Sequence, residues 1–129
     1  ALRPQFYADF INVLDPGDRR YFRETRERQL GMTLEEHCVD RDARLPEVAA
    51  VLAPLQRTLA EQPFLAGATP AYVDYIVFSV FQWARVGSPR DVLALLDGVA
   101  AVRDWRSRMA GLYGGMGDRF ALYPTGDEA

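Results

Sequence analysis

The chain has 129 residues, 49% of them apolar and 26% charged, with a formal net charge of −3. That length and mixture fit one globular domain with a single apolar core. The small negative charge argues against a general nucleic-acid binder, which needs a basic surplus to neutralise phosphates.

Helical spacing dominates, and no run alternates polar and apolar residues long enough to make a strand. Phe6, Phe10, Val13 and Leu14 predict a first helix over 4–14, stopped by Asp15-Pro16-Gly17. Asp18 is the expected cap of a second helix, 19–30, with Gly31 as its terminator. Its Arg20–Glu24, Arg23–Glu27 and Glu24–Arg28 pairs mark a solvated face. Thr33-Leu-Glu-Glu36 spells a capping box for a helix running to about Glu61. Val48, Val51, Leu52, Leu55 and Leu59 form its core stripe, while Pro46 and Pro54 predict a break and a kink.

A connection over 62–70 leads into the most apolar run of the chain. Val73, Ile76, Val77, Val80, Phe81 and Ala84 recur there at helical intervals, and Tyr72, Tyr75, Phe78 and Trp83 cover the remaining sides. A helix apolar nearly all round is predicted to be central and buried, here over about 71–86. Ser88-Pro89 predicts a further capped helix ending near Asp97-Gly98. Val102, Trp105, Met109 and Leu112 predict a last helix over 99–113, stopped by Gly114-Gly115. The reading is an all-α domain of five to seven helices, 1–114, followed by a tail, 115–129.

Asp74 stands at the threshold of the apolar run, where a buried carboxylate is costly unless it is hydrogen-bonded. At the third helical position it would accept orphan backbone N–H groups and lie against the positive end of the helix dipole. Pro70 and Tyr75 would flank the start as a hydrophobic staple. Asp74 is therefore read as a folding device and not as a catalytic acid.

The segment Pro63-Phe-Leu-Ala-Gly-Ala-Thr-Pro-Ala-Tyr-Val-Asp-Tyr75 resembles the start of the buried helix in the C-terminal, all-helical domain of glutathione S-transferases. Phe81-Gln-Trp-Ala-Arg85, Tyr21-Phe-Arg-Glu-Thr-Arg-Glu27 and Thr33-Leu-Glu-Glu36 are similar to a bacterial and fungal subgroup related to β-etherases. The resemblance spans about residues 19 to 113. In one respect the chain departs from the family: the capping hydroxyl would fall at position 71, where Ala71 stands, and Thr69 is the nearest substitute.

The resemblance implies a parent enzyme in which an N-terminal thioredoxin-like domain, absent from this chain, holds glutathione as co-substrate. The helical domain would supply part of the hydrophobic co-substrate pocket and the interdomain surface. Attack of the glutathione thiolate on an electrophilic apolar substrate, or displacement of an aryloxide, would follow. This chain alone is expected to bind no cofactor and to hold no catalytic residue. The expected substrate-wall residues are Phe6, Tyr7 and Phe10, then Tyr72, Phe120 and Tyr123, with core or interdomain packing as the competing reading. Expected partners are the thioredoxin-like domain, with a homodimer left open, and neither nucleic acid nor membrane. A non-catalytic interaction module on the same fold is the alternative, and a small hydrophobic carrier a third.

Other constellations carry less. His37 and Cys38 are neighbours, and on a helix they point about 100° apart, so they do not form a catalytic pair. His37 with Asp40 lacks the companions of a metal site, and no metal is expected. The single cysteine excludes an internal disulfide and fits a reducing compartment, expected to be cytoplasmic. No apolar run approaches a membrane span, and no signal peptide is read at the start. All fifteen basic residues are arginine, which reads as a coding bias. The start at Ala1 fits a fragment or a trimmed product.

Overall fold

A computed structural model of the chain describes residues 1–119 and 123. Among these residues six α-helices follow in order: α1 (Arg3–Phe10), α2 (Pro16–Leu30), α3 (Leu34–Cys38), α4 (Leu45–Glu61), α5 (Tyr72–Gly87) and α6 (Ala100–Gly115). Short 3-10 turns at Ile11–Val13 and Met116–Asp118 extend α1 and α6. There is no strand among the described residues; Phe64 and Gly67 form a lone bridge in the connection before α5.

Local chemistry sets most boundaries. The capping box forms as read: Thr33 Oγ1 accepts the Glu36 N–H at 3.1 Å, and Glu36 Oε2 accepts the Thr33 N–H at 2.9 Å. The helix it starts lasts only five residues, and α4 restarts with Pro46 in its first turn, where a missing N–H costs no ladder bond. Pro54 lies inside α4. The second helix begins at Pro16, with Asp15 at the capping position and Asp18 inside the first turn, three residues earlier than expected. It ends at Gly31 in the left-handed conformation, as its sequence predicts.

The helix expected after Ser88 does not form. Residues 92–95 make turns instead, and Val92, Leu93, Leu96 and Val99 plunge into the core. The Arg103 guanidinium donates to the carbonyls of Leu93 and Leu96 at 3.0 and 2.9 Å and so fixes this segment against α6. The last helix also breaks early: Leu112, Tyr113 and Gly114 have non-helical backbone angles within α6.

The core has two parts. A larger cluster joins α4, the 92–99 segment and α6 around Trp105 and Phe81; a smaller one joins Phe6 and Tyr7 of α1 to Leu34 and Cys38 of α3. The fifth helix lies between them, giving Phe81 to the first and Ala84 to the second. It is therefore central, as its composition predicts. It is not covered all round: Tyr72, Val73, Ile76, Val80 and Trp83 are exposed. Val51, expected in the α4 stripe, is exposed too.

A polar seam pins α1 in place. Gln5 is 1% exposed, donates to the Arg41 carbonyl at 2.7 Å and accepts from Arg90 at 3.1 Å. Asp9 Oδ2 accepts from Arg41 at 2.9 Å and from the buried Ser88 hydroxyl. Ser88 thus ties α1 to the end of α5, while its oxygen accepts the Arg90 N–H at 3.1 Å, a local cap that no helix follows.

Candidate interdomain face and aromatic wall

Each residue of an α-helix turns the side-chain direction by 100°. On α5, Tyr72, Trp83, Ile76, Val80 and Val73 consequently share an arc of about 100°. This arc faces away from Asp74 and Phe81, which are buried, and is bordered by the buried Ala84. Tyr72 is 80% and Ile76 49% exposed, so the described residues leave a contiguous apolar stripe uncovered. Stripes of this kind on soluble proteins mark docking surfaces.

At the C-terminal end of that stripe α1 brings a cluster of rings. Trp83 packs edge-on against Phe6, Tyr7 and Phe10, with centroids 5.0, 5.8 and 5.7 Å apart. Phe22 of α2 closes on Phe10 at 5.3 Å. Gly87 permits the approach, since a Cβ there would lie 2.3 Å from the Phe10 ring. Of the expected wall residues, Phe6 and Tyr7 are buried in the smaller core and Phe10 is half-buried. Tyr72 stands three turns away along α5, about 17 Å, and does not join them. Phe120 lies outside the described residues; Tyr123 is half-buried, its hydroxyl accepting from Asn12 at 3.1 Å.

Trp83 and Phe22 belong to this cluster and were not among the sequence-predicted site residues. Trp83 had a legible signal, because it follows Tyr72 by eleven residues and returns to the same side of the helix. Phe22 had none, since only the fold brings α2 beside α1.

Asp74 sits at the other end of α5 and is 0% exposed. Its Oδ1 accepts from the Leu65 N–H at 2.7 Å and from the Trp105 indole at 2.9 Å. Its Oδ2 accepts from the Ala71 N–H at 3.1 Å and the Ala66 N–H at 3.3 Å. Burial pushes its carboxyl up, but the Ala71, Trp105, Leu65 and Ala66 donors together hold it below the usual range. Asp74 is at the third helical position as expected, yet its partners are the capping residue, the preceding connection and α6, not the first-turn amides.

Ala71 takes the capping position with only a methyl group, so the capping is one-sided: the Asp74 N–H turns to the Ala71 carbonyl at 2.9 Å. Thr69 is exposed, and no side chain caps α5. Tyr75 is exposed and exchanges a hydroxyl hydrogen bond with Tyr113 at 3.0 Å.

The remaining candidates do not assemble into chemistry. Cys38 is buried, which pushes its thiol pKa up, away from a nucleophilic thiolate. Burial, then Arg44 and Arg3, lower the pKa of His37, whose Nε2 has no hydrogen-bond partner. Among the described residues no group of three or more His, Cys, Asp or Glu could hold a metal ion, and no helix is long and apolar enough to cross a membrane. A cleft of about 130 Å³ is lined by Arg85, Arg106, Ser107, Ala110 and Asp118. Its two guanidiniums are already paired, with Asp118 and Asp91.

Helices packed around one central helix, with a carboxylate-locked start and one apolar side exposed, define an all-helical domain. The chain matches the family described as "Glutathione S-transferase, C-terminal domain" over residues 1–108. It belongs to that family.

Proposed function

We propose that this chain is the helical half of a glutathione S-transferase-like enzyme, and that a thioredoxin-like domain covers the open face of α5. The observation that carries this reading is the exposed stripe of Tyr72, Val73, Ile76, Val80 and Trp83 on a helix whose opposite side packs into the core. Glutathione would be held by the partner domain. Phe10 and Trp83 would present ring surface to an apolar co-substrate at the domain boundary, with Phe6 and Tyr7 backing them from the core.

In the reaction of the parent, the glutathione thiolate would attack an electrophilic carbon, forming a C–S bond as the leaving group departs with the bonding electrons. For an aryl ether of the β-etherase type the leaving group is an aryloxide. The contribution of this chain is a dry apolar wall that favours an apolar substrate. Its buried carboxylate, Asp74, is saturated with donors and locks the fold.

Calorimetric titration of glutathione into the chain tests this division of labour, and no binding heat is expected. Saturable binding would put the tripeptide site on these residues and overturn the assignment. A stable complex with an unrelated protein through the same face, without response to glutathione, would favour the interaction-module reading instead.

A further inference from the structure

The second helix is fifteen residues long and contributes none that is buried. Only its Phe22 and Leu30 pack against a core cluster, and both are half-buried. The neighbouring α3 is the opposite case, five residues long with Leu34 and Cys38 buried in the smaller cluster. Apart from its flanking turns, α2 forms hydrogen bonds to the described residues only at the start of α3. Arg23 forks onto Glu35, Nη1 donating to Oε2 at 2.9 Å and Nη2 to Oε1 at 2.8 Å. Beside it Glu27 Oε1 accepts from Arg23 at 2.8 Å and from the Leu34 N–H at 3.1 Å. A mostly polar helix with so few buried contacts belongs to the part of a fold that opens first. What it covers is the ring cluster: Phe22 lies 5.3 Å from Phe10 and 6.1 Å from Tyr7, centroid to centroid. The chain changes direction at both ends of α2, through extended Leu14 and Asp15 and through left-handed Gly31.

From this arrangement we infer that α2 is a lid on the aromatic cluster. It comes away while the rest of the fold stays in place, hinged at Leu14-Asp15 and at Gly31, with the Arg23–Glu35 fork as its latch. Phe22 leaves with it and bares Tyr7 and Phe10. Only the bearing of this motion on co-substrate access rests on the wall proposed above; the motion itself does not.

Native-state amide exchange followed by NMR on the full chain tests the lid. In the wild type the Arg23, Glu27 and Leu30 amides should share one degree of protection, about tenfold or more below that of the Leu52 amide in α4. Val48→Ala, in the larger core cluster, weakens the closed and the lid-open molecule alike. It should therefore speed exchange at Leu52 and leave the α2 amides unchanged. Glu35→Gln, which removes the charge of the latch, should speed the α2 amides about threefold, in line with an exposed ion pair. Phe22→Ala should speed them about tenfold, less than for a fully buried ring. Protection of α2 equal to that of Leu52, an acceleration of α2 by Val48→Ala, or none by Glu35→Gln would each overturn the lid. No acceleration by Phe22→Ala would mean that α2 opens without leaving the rings, which overturns it too.

Discussion

Asp74 collects four N–H donors on two oxygens and so fastens the 62–71 connection and the start of α5 that follows it to Trp105 of α6, which is remote in sequence. Asp74→Asn keeps the shape but turns an NH2 group toward N–H donors, so it should cost about 2–4 kcal/mol in urea unfolding. The pH dependence follows from the lowered pKa. The stabilisation is present above the unfolded-state value, near pH 4, and is lost as the pH falls through the lower folded value. Unfolding followed by circular dichroism should show the wild type losing stability below about pH 4, with a shallower decline in Asp74→Asn. Position 71 offers the opposite test. A serine there would give the Asp74 N–H a side-chain acceptor that Ala71 lacks, and Ala71→Ser should raise stability by about 1 kcal/mol. An unchanged or lower melting temperature would mean that the one-sided capping is already sufficient.

The fifth helix and its neighbours show what local sequence carries and what it does not. Capping residues, prolines and apolar spacing placed α2, α4, α5 and α6 to within a turn, because those signals act within a few residues. The 88–98 segment was misread for a tertiary reason. Ser88 and Pro89 look like a helix start, and the serine oxygen does accept the Arg90 N–H, but the chain then turns so that Val92, Leu93, Leu96 and Val99 enter the core and Arg103 holds the Leu93 and Leu96 carbonyls. The α1–α5 seam was equally hidden, since nothing near Gly87 announces Phe10. Gly87→Ala would drive a methyl into a ring held between Phe22 and Trp83. It should destabilise by about 1–3 kcal/mol and alter Trp83 fluorescence, whereas a neutral effect would mean that the seam is loosely packed.

Across the whole molecule, two apolar clusters meet at one helix that neither of them fully covers. The composition of α5 announced an element surrounded by apolar neighbours, but the pattern could not say that one side is left open by this chain's own helices. The wall residues divide for the same reason. Phe6, Tyr7 and Phe10 share a helix, and only the placement of α3 and α5 decides that the first two are sealed inside. The open face is the centre of the functional account, and one paired substitution addresses it. Ile76→Glu with Val80→Lys places a favourable i,i+4 pair on exposed positions, so the melting temperature should move by no more than about 3 °C. Wild-type protein should bind an apolar fluorescent dye such as ANS, and the double variant should lose most of that signal. A loss of several kcal/mol in the variant, with no dye binding by the wild type, would show that the face is buried within this chain, and the interdomain assignment would fall.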